Sequence, residues 1–203
     1  MKSLEELLTT NKEKTERWLI ENLIGMGELA ILYGDYGSHK TGIAIKIALE
    51  VITGGKELGQ ASTGNVLYYS LDSPEMDFVP RVIALAENRY PERLEEIGLN
   101  LTPEYGDSYE HEAHFNLTSQ WRFQDEFNGN DEDGYDWLVG GRFDKEDIGY
   151  KLVIIDTLSK GIVGSGINDD QALRKVIHNC RNWIKGSDDT LSILLVHHTG
   201  KNG

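Results

Sequence analysis

The chain has 203 residues, 39% hydrophobic and 27% charged, with a formal net charge of −14 at pH 7. That length suits one domain with a sizeable core, and no run of about 18 apolar residues marks a membrane span. A single cysteine, Cys180, excludes an internal disulfide framework and fits a reducing, cytoplasmic setting. The charge is uneven: residues 104–147 carry thirteen acids against three basic residues, Arg122, Arg142 and Lys145. The remainder is only mildly acidic, although a monomer with this total would bind a polyanion poorly.

Residues 3–21 read as an amphipathic helix with Leu4, Leu7 and Leu8 on one face. "ELAILYG" (28–34) reads as a short buried strand running into a glycine loop, and residues 40–52 have helical spacing of apolar residues. The glycines of "TGGKELG" (53–59) end that helix. "NVLYYSL" (65–71) is a second strand, and residues 73–90 form a helix that Pro80 should kink or split. Residues 104–150 mix aromatics with acids and glycines and read as an inserted, loop-rich lobe with a short helix near 119–127. "KLVIID" (151–156) is a buried parallel strand, 168–185 a helix and "LSILLVHH" (191–198) a further strand. This alternation predicts one α/β domain with a mostly parallel sheet flanked by helices.

"GDYGSHKTG" (34–42) fits G-x-x-x-x-G-K-[ST] except that His39 replaces the second glycine. Its position between a strand and a helix predicts a phosphate-binding loop. Gly34, Tyr36, Gly37, Ser38, His39, Lys40, Thr41 and Gly42 would surround the phosphates of ATP, using backbone N–H groups and the helix N-terminus. Lys40 would lie across the β- and γ-phosphates and the Thr41 hydroxyl would bind Mg²⁺. The bland reading is a glycine-rich turn with a surface lysine. His39 is expected to tolerate its place because helical φ/ψ suits any residue there.

Asp156 ends the apolar run of "KLVIID", where an acid faces the ligand crevice and would hold Mg²⁺ through water; the alternative is a turn-capping aspartate. Asp72 follows the second strand, where it could orient and deprotonate an attacking water. It could equally cap the next helix, since "DSPE" has the form of a helix start. His197 and His198 end the last strand, where one could touch the γ-phosphate. A metal pair is disfavoured because no third ligand is evident.

These segments together resemble the RepA-type, RecA-like P-loop ATPases, which include plasmid hexameric replicative helicases and phage relatives. "WLIENLIGMGELAILYGDYGSHKTG" resembles their entry segment and Walker A, and "NVLYYSLDSPEMDFVPRVIALAE" their second strand and helix, with Asp72 where they carry a catalytic glutamate. "KLVIIDTLSKGIVGSGINDDQALRKVIHNCRNWI" resembles their Walker B, and "LSILLVHHTGKNG" their histidine-containing third motif. The resemblance implies a RecA-like core over residues 1–203 and a homo-oligomer, a hexamer in the family's ring form. It implies catalytic roles for Lys40, Asp72, His197 and His198, metal ligation by Thr41 and Asp156, and action on single-stranded DNA in replication or recombination. Residues 159–169 are then candidate DNA-binding loops. The family's arginine finger follows the third motif and is not in these 203 residues. A continuation of the chain or another element supplies it, or hydrolysis is slow. The reading from a different class is a nucleotide-binding regulatory or assembly module, with the acidic insert as its docking surface. A small-molecule P-loop kinase is disfavoured because no lid of arginines follows Walker B.

Overall fold

The computed structural model describes Ser3 and residues 17–73, 75–94, 121–124, 150–158 and 170–198. In chain order the elements are β1 (Trp18–Ile20), β2 (Ile24–Gly25), β3 (Leu29–Gly34), α1 (Lys40–Thr53), β4 (Asn65–Ser70) and α2 (Glu75–Arg89). A 3₁₀ turn (Pro91–Arg93) follows, then β5 (Trp121–Gln124), β6 (Tyr150–Asp156), α3 (Asp170–Gly186) and β7 (Ser192–His198). Strands β3, β7, β6, β4 and β5 form a five-stranded sheet in that order, with every neighbouring pair parallel.

Alternation along each strand sorts the core into two layers. Val66, Tyr68, Leu152, Ile154, Leu194 and Val196 face one side, where Ala44, Ile45, Ala48 and Leu49 of α1 and Phe78, Val82 and Ala86 of α2 cover them. Leu67, Tyr69, Val153, Ile155, Ile193 and Leu195 face the other side, against Val176, Cys180, Trp183 and Ile184 of α3. The helices lie on opposite faces for a reason of handedness. The chain crosses from β3 to β4 in one direction and from β6 to β7 in the other, so right-handed crossovers put their helices on opposite sides. Each fully buried Ile or Leu contributes about 1.5–3 kcal/mol, and Ile154→Ala in the central strand would cost about 2–5 kcal/mol.

Helix α1 stops at Gly54, which has φ 62° and donates its N–H to Glu50 O. A Cβ there would lie 2.4 Å from Thr63 Oγ1, so both conformation and space require glycine.

Four expectations need correction. The predicted helix over 3–21 does not extend to its end: Trp18–Ile20 is strand β1, paired antiparallel with Ile24–Gly25 through a turn in which Asn22 has φ 59°. Strand β3 is not buried on both faces. It is the edge of the sheet, with Ile31 49% and Tyr33 71% exposed. Pro80 does not split α2, which runs unbroken over Glu75–Arg89. Pro80 is exposed and lies early in the helix, where it removes one backbone hydrogen bond. The short helix near 119–127 is instead strand β5, whose "WRFQ" pairs parallel with β4. The rest of the acidic lobe (104–120, 125–149), residues 1–2 and 4–16, and the loop 159–169 lie outside the described residues.

Candidate active site

The sheet register gathers the predicted site residues at one end. Gly34 is opposite His198, Val196 is opposite Asp156, and Asp156 is opposite Ser70. The carboxyl ends of β3, β7, β6 and β4 therefore open on one crevice, the usual ligand position of parallel α/β sheets.

The loop from Gly34 to Lys40 closes on its own lysine. Lys40 is 4% exposed although Asp35 to His39 are all exposed. Its Nζ donates to Gly34 O at 2.9 Å, to Asp35 O at 2.7 Å and to Ser38 Oγ at 3.3 Å. The Ser38 N–H donates to Asp35 O at 3.2 Å, which forms the tight turn. A Cβ at Gly34 would meet Ser38 Oγ at 3.0 Å, a tight contact that the serine side chain would have to relieve. Gly37 has φ +79° with open space around it. The first helical bond runs from Ile43 N to His39 O at 3.1 Å.

His39 does not have the helical backbone expected for it. It is the N-cap of α1 with φ 60° and ψ 26°, in the left-handed region, and its side chain makes no capping hydrogen bond. That is why the motif prefers glycine at this position: the loop needs positive φ at both 37 and 39. Histidine is among the residues that tolerate the region better than most. Alternation of negative and positive φ is also the backbone pattern of anion-binding concavities.

Asp156 is 3% exposed at the end of β6, and its Oδ2 accepts a hydrogen bond from the Tyr68 hydroxyl at 2.7 Å. Its other oxygen, Oδ1, is buried and has no hydrogen-bond partner among the described residues. A carboxylate in this state is poorly compensated. Burial, followed by the charge and hydrogen bond of Asp156, pushes the Tyr68 phenol well above its ordinary pKa, so it remains a proton donor. The peptide bond between Asp156 and Thr157 is cis, and the strand end is tied down by Leu71 N to Asp156 O at 2.6 Å and Leu158 N to Val196 O at 2.7 Å.

Asp72 lies in the bend after β4. That bend is shaped by Ser70, whose hydroxyl donates to Ser73 O at 2.9 Å. The Asp72 Oδ2 lies 3.8 Å from His198 Nε2, and both side chains are partly exposed. Neither ring nitrogen of His198 has a hydrogen-bond partner among the described residues. The Tyr36 ring, on a residue 79% exposed, tilts over His198 with centroids 5.8 Å apart. His197 points to the opposite sheet face. Burial, then the charges of His198 and Lys40, lower its pKa.

The structure thus brings Lys40, Asp156, Asp72 and His198 to one crevice, and places His197 behind it. Tyr68 and Ser70 were missed. A signal for Tyr68 existed: two adjacent tyrosines in a buried strand each need an acceptor for their hydroxyl. The residues fit a metal-bound nucleotide, because a lysine in a glycine loop and a buried carboxylate, whose Oδ1 has no partner among the described residues, stand at the same end of the sheet. A family model described as an AAA domain matches residues 2–203 of the chain. No curated protein matches it.

Proposed function

We propose, from the premise that the chain belongs to the AAA domain family of P-loop ATPases, that it is an ATP-hydrolysing motor of the oligomeric RecA-like type acting on single-stranded DNA in replication or recombination. The family binds ATP with Mg²⁺ and hydrolyses nucleotide; the motor role and the residue assignments are our reading. The observation that supports it most is the convergence of the Lys40 loop, Asp156 and the Asp72–His198 pair at the carboxyl ends of four adjacent parallel strands.

Thr41 and Asp156 would hold Mg²⁺, which when bound neutralises developing phosphate charge. Lys40 supplies a fixed positive charge in the loop and orients the phosphates. Asp72 is partly exposed and lies across the crevice from the loop. It would orient the attacking water and accept its proton. His198 has both nitrogens free of protein hydrogen bonds and would contact the terminal phosphate. The RecA-like core implies that nucleotide binds at a boundary between subunits, and the exposed Tyr36 would lie near that boundary.

The test is steady-state phosphate release by the full chain with and without single-stranded DNA. Release that rises with DNA and depends on Lys40 supports the motor. Nucleotide binding with negligible turnover in both conditions would instead mark a regulatory or assembly module.

A further inference from the structure

We propose that the outward face of α3 is a docking surface for the phosphate backbone of a nucleic-acid strand, held by Arg174, Arg181 and Lys185. The proposal rests on the reading of the protein as acting on single-stranded DNA, and adds the surface that holds the strand.

Helix α3 carries Arg174, Lys175, Arg181 and Lys185 against a single acid, Asp170, in a chain whose net charge is −14. Arg174, His178, Arg181 and Lys185 recur at i, i+4, i+7 and i+11, so they form one line along the helix. The line is about 16 Å long at 1.5 Å per residue. All four residues are exposed, and Val176, Cys180, Trp183 and Ile184 bury the opposite side of the helix against the sheet. Among the described residues no carboxylate pairs with Arg174, Arg181 or Lys185. Asp170 begins the helix and Asp188 and Asp189 follow it, so acids stand at the ends of the line and none stands within it.

Helix stability does not account for this pattern. Arg181 and Lys185 are like charges one turn apart, which oppose each other. Lys185 in the last turn gains from the helix dipole, but Arg174 in the second turn does not.

The chemistry of the face selects among anions. Its remaining exposed member, Asn182, is also polar and lies 3.0 Å from His178 Nε2 through its Nδ2. A protein partner is held chiefly by aromatic and apolar anchors, with charges kept to the rim. A phosphate backbone is held by cations alone, and the planar fork of arginine suits its oxygens. Trp183 is buried, so this helix offers no indole on which bases could stack. The contact is therefore with the backbone and indifferent to base sequence. The crossover from β6 to β7 runs α3 back along the sheet. Arg174 thus lies toward the carboxyl ends of the strands, where the nucleotide crevice opens, and Lys185 toward the other rim.

The experiment is fluorescence anisotropy of a labelled oligo-dT strand with the full chain, Mg²⁺ and the non-hydrolysable analogue AMPPNP, across about 50 to 200 mM KCl. Wild type is compared with Arg174→Gln/Arg181→Gln/Lys185→Gln. A control of equal charge change, Arg17→Gln/Lys56→Gln/Arg81→Gln, alters exposed cations away from α3. The α3 variant should bind more weakly, and its plot of log K against log[salt] should flatten by about 2, at about 0.7 per single-strand phosphate contact. The control should keep the wild-type slope, and so should Arg174→Lys/Arg181→Lys, which retains the charges. Oligo-dA should give the same changes. An unchanged slope in the α3 variant overturns the proposal, as does equal flattening in the control or an effect confined to one base sequence. Polyglutamate that displaces oligo-dT from the wild type as well as unlabelled strand does would assign the face to an acidic protein, and also overturns it. A wild type that binds no strand sinks the DNA-motor reading together with this one, whereas strand binding with an unchanged slope sinks this one alone. Should the triple variant not fold, Arg181→Gln carries the test with a flattening of about 0.7, and an unchanged slope again overturns the proposal.

Discussion

His198 Nε2 and Asp72 Oδ2 face each other at 3.8 Å across the ends of β7 and β4, although β6 separates these strands in the sheet. The gap is too long for a hydrogen bond and short enough for a charge contact. Each group therefore retains hydrogen-bonding capacity for a ligand between the strand ends. Asp72→Asn keeps the size and removes the proton acceptor. Turnover should fall on the order of 10²-fold or more, the scale of general-base catalysis, with nucleotide affinity nearly unchanged. Single-turnover hydrolysis alongside equilibrium binding separates the two. A variant that loses thermal stability but hydrolyses normally would make Asp72 a structural residue.

Lys40→Ala should weaken ATP binding by about 1–3 kcal/mol, the range for charge-assisted contacts. The lysine also ties Gly34 O and Asp35 O together, so the loop should become more protease-sensitive as well. Ser38→Ala removes only the longest of the three lysine contacts, at 3.3 Å. It should cost less than about 1 kcal/mol in binding. Titration calorimetry with ATP and Mg²⁺ checks both variants, and equal losses from the two would mean that loop shape dominates over the lysine charge.

His39 is held at φ 60°, a conformation that costs most L-residues about 1–2 kcal/mol. His39→Gly removes that cost but gives the unfolded chain more freedom, so the net change should be a stabilisation of about 0–1 kcal/mol. His39→Val places a β-branched residue in the same region and should destabilise by about 1–3 kcal/mol. Urea unfolding of both variants measures the difference. Nucleotide affinity should follow the same order, because the loop conformation is what strain would distort.

The local parts of the site were legible because they are contiguous in sequence. The strand–loop–helix around Lys40 and the apolar run ending in Asp156 carry their own context. What sequence could not supply was the strand order. Tyr68 meets Asp156, and Asp72 meets His198, only because β6 and β7 return to fill the space between β3 and β4. Strand β3 is also the sheet edge, a position that its six-residue apolar run conceals. The left-handed backbone at His39 is not legible in the helical spacing, because that spacing does not reach the N-cap, where φ/ψ is free to differ. Strand β5 had a readable signal in the alternating aromatics Trp121 and Phe123, overlooked among the surrounding acids and glycines.

At the far end of α1, Glu50 is fully buried and accepts hydrogen bonds from the Tyr90 hydroxyl and, at 3.2 Å, from Glu57 N–H. Tyr90→Phe strips one of these donors and should destabilise by about 1–3 kcal/mol, the cost of leaving a buried acceptor unsatisfied. Glu50 lies ten residues along the helix from Lys40, about 15 Å at 1.5 Å per residue. Nucleotide affinity and turnover should therefore be unchanged. Denaturant unfolding and AMPPNP binding on the same variant would show the separation; loss of binding without loss of stability would contradict it.

His197 gives the fold a pH dependence whose sign follows from its environment. Burial is the leading cause of its lowered pKa, with the positive charges of His198 and Lys40 acting in the same direction, so the folded state favours the neutral ring. The unfolded chain has the ordinary value of 6.5 and binds more protons below that pH. Stability from this group is therefore fully present above pH 6.5 and is lost as pH falls through the folded-state pKa. His197→Gln removes the titration while keeping a polar side chain. Its unfolding free energy should have a smaller slope than wild type in the window just below pH 6.5, and the two curves should run parallel above it. His198 lies on the opposite face of β7, and His197→Gln leaves it and its contact with Asp72 in place. The catalytic pH profile should therefore shift less than the stability profile. Chemical denaturation across pH, paired with turnover at each point, distinguishes the two histidines. An unchanged stability slope would mean that His197 is effectively solvated.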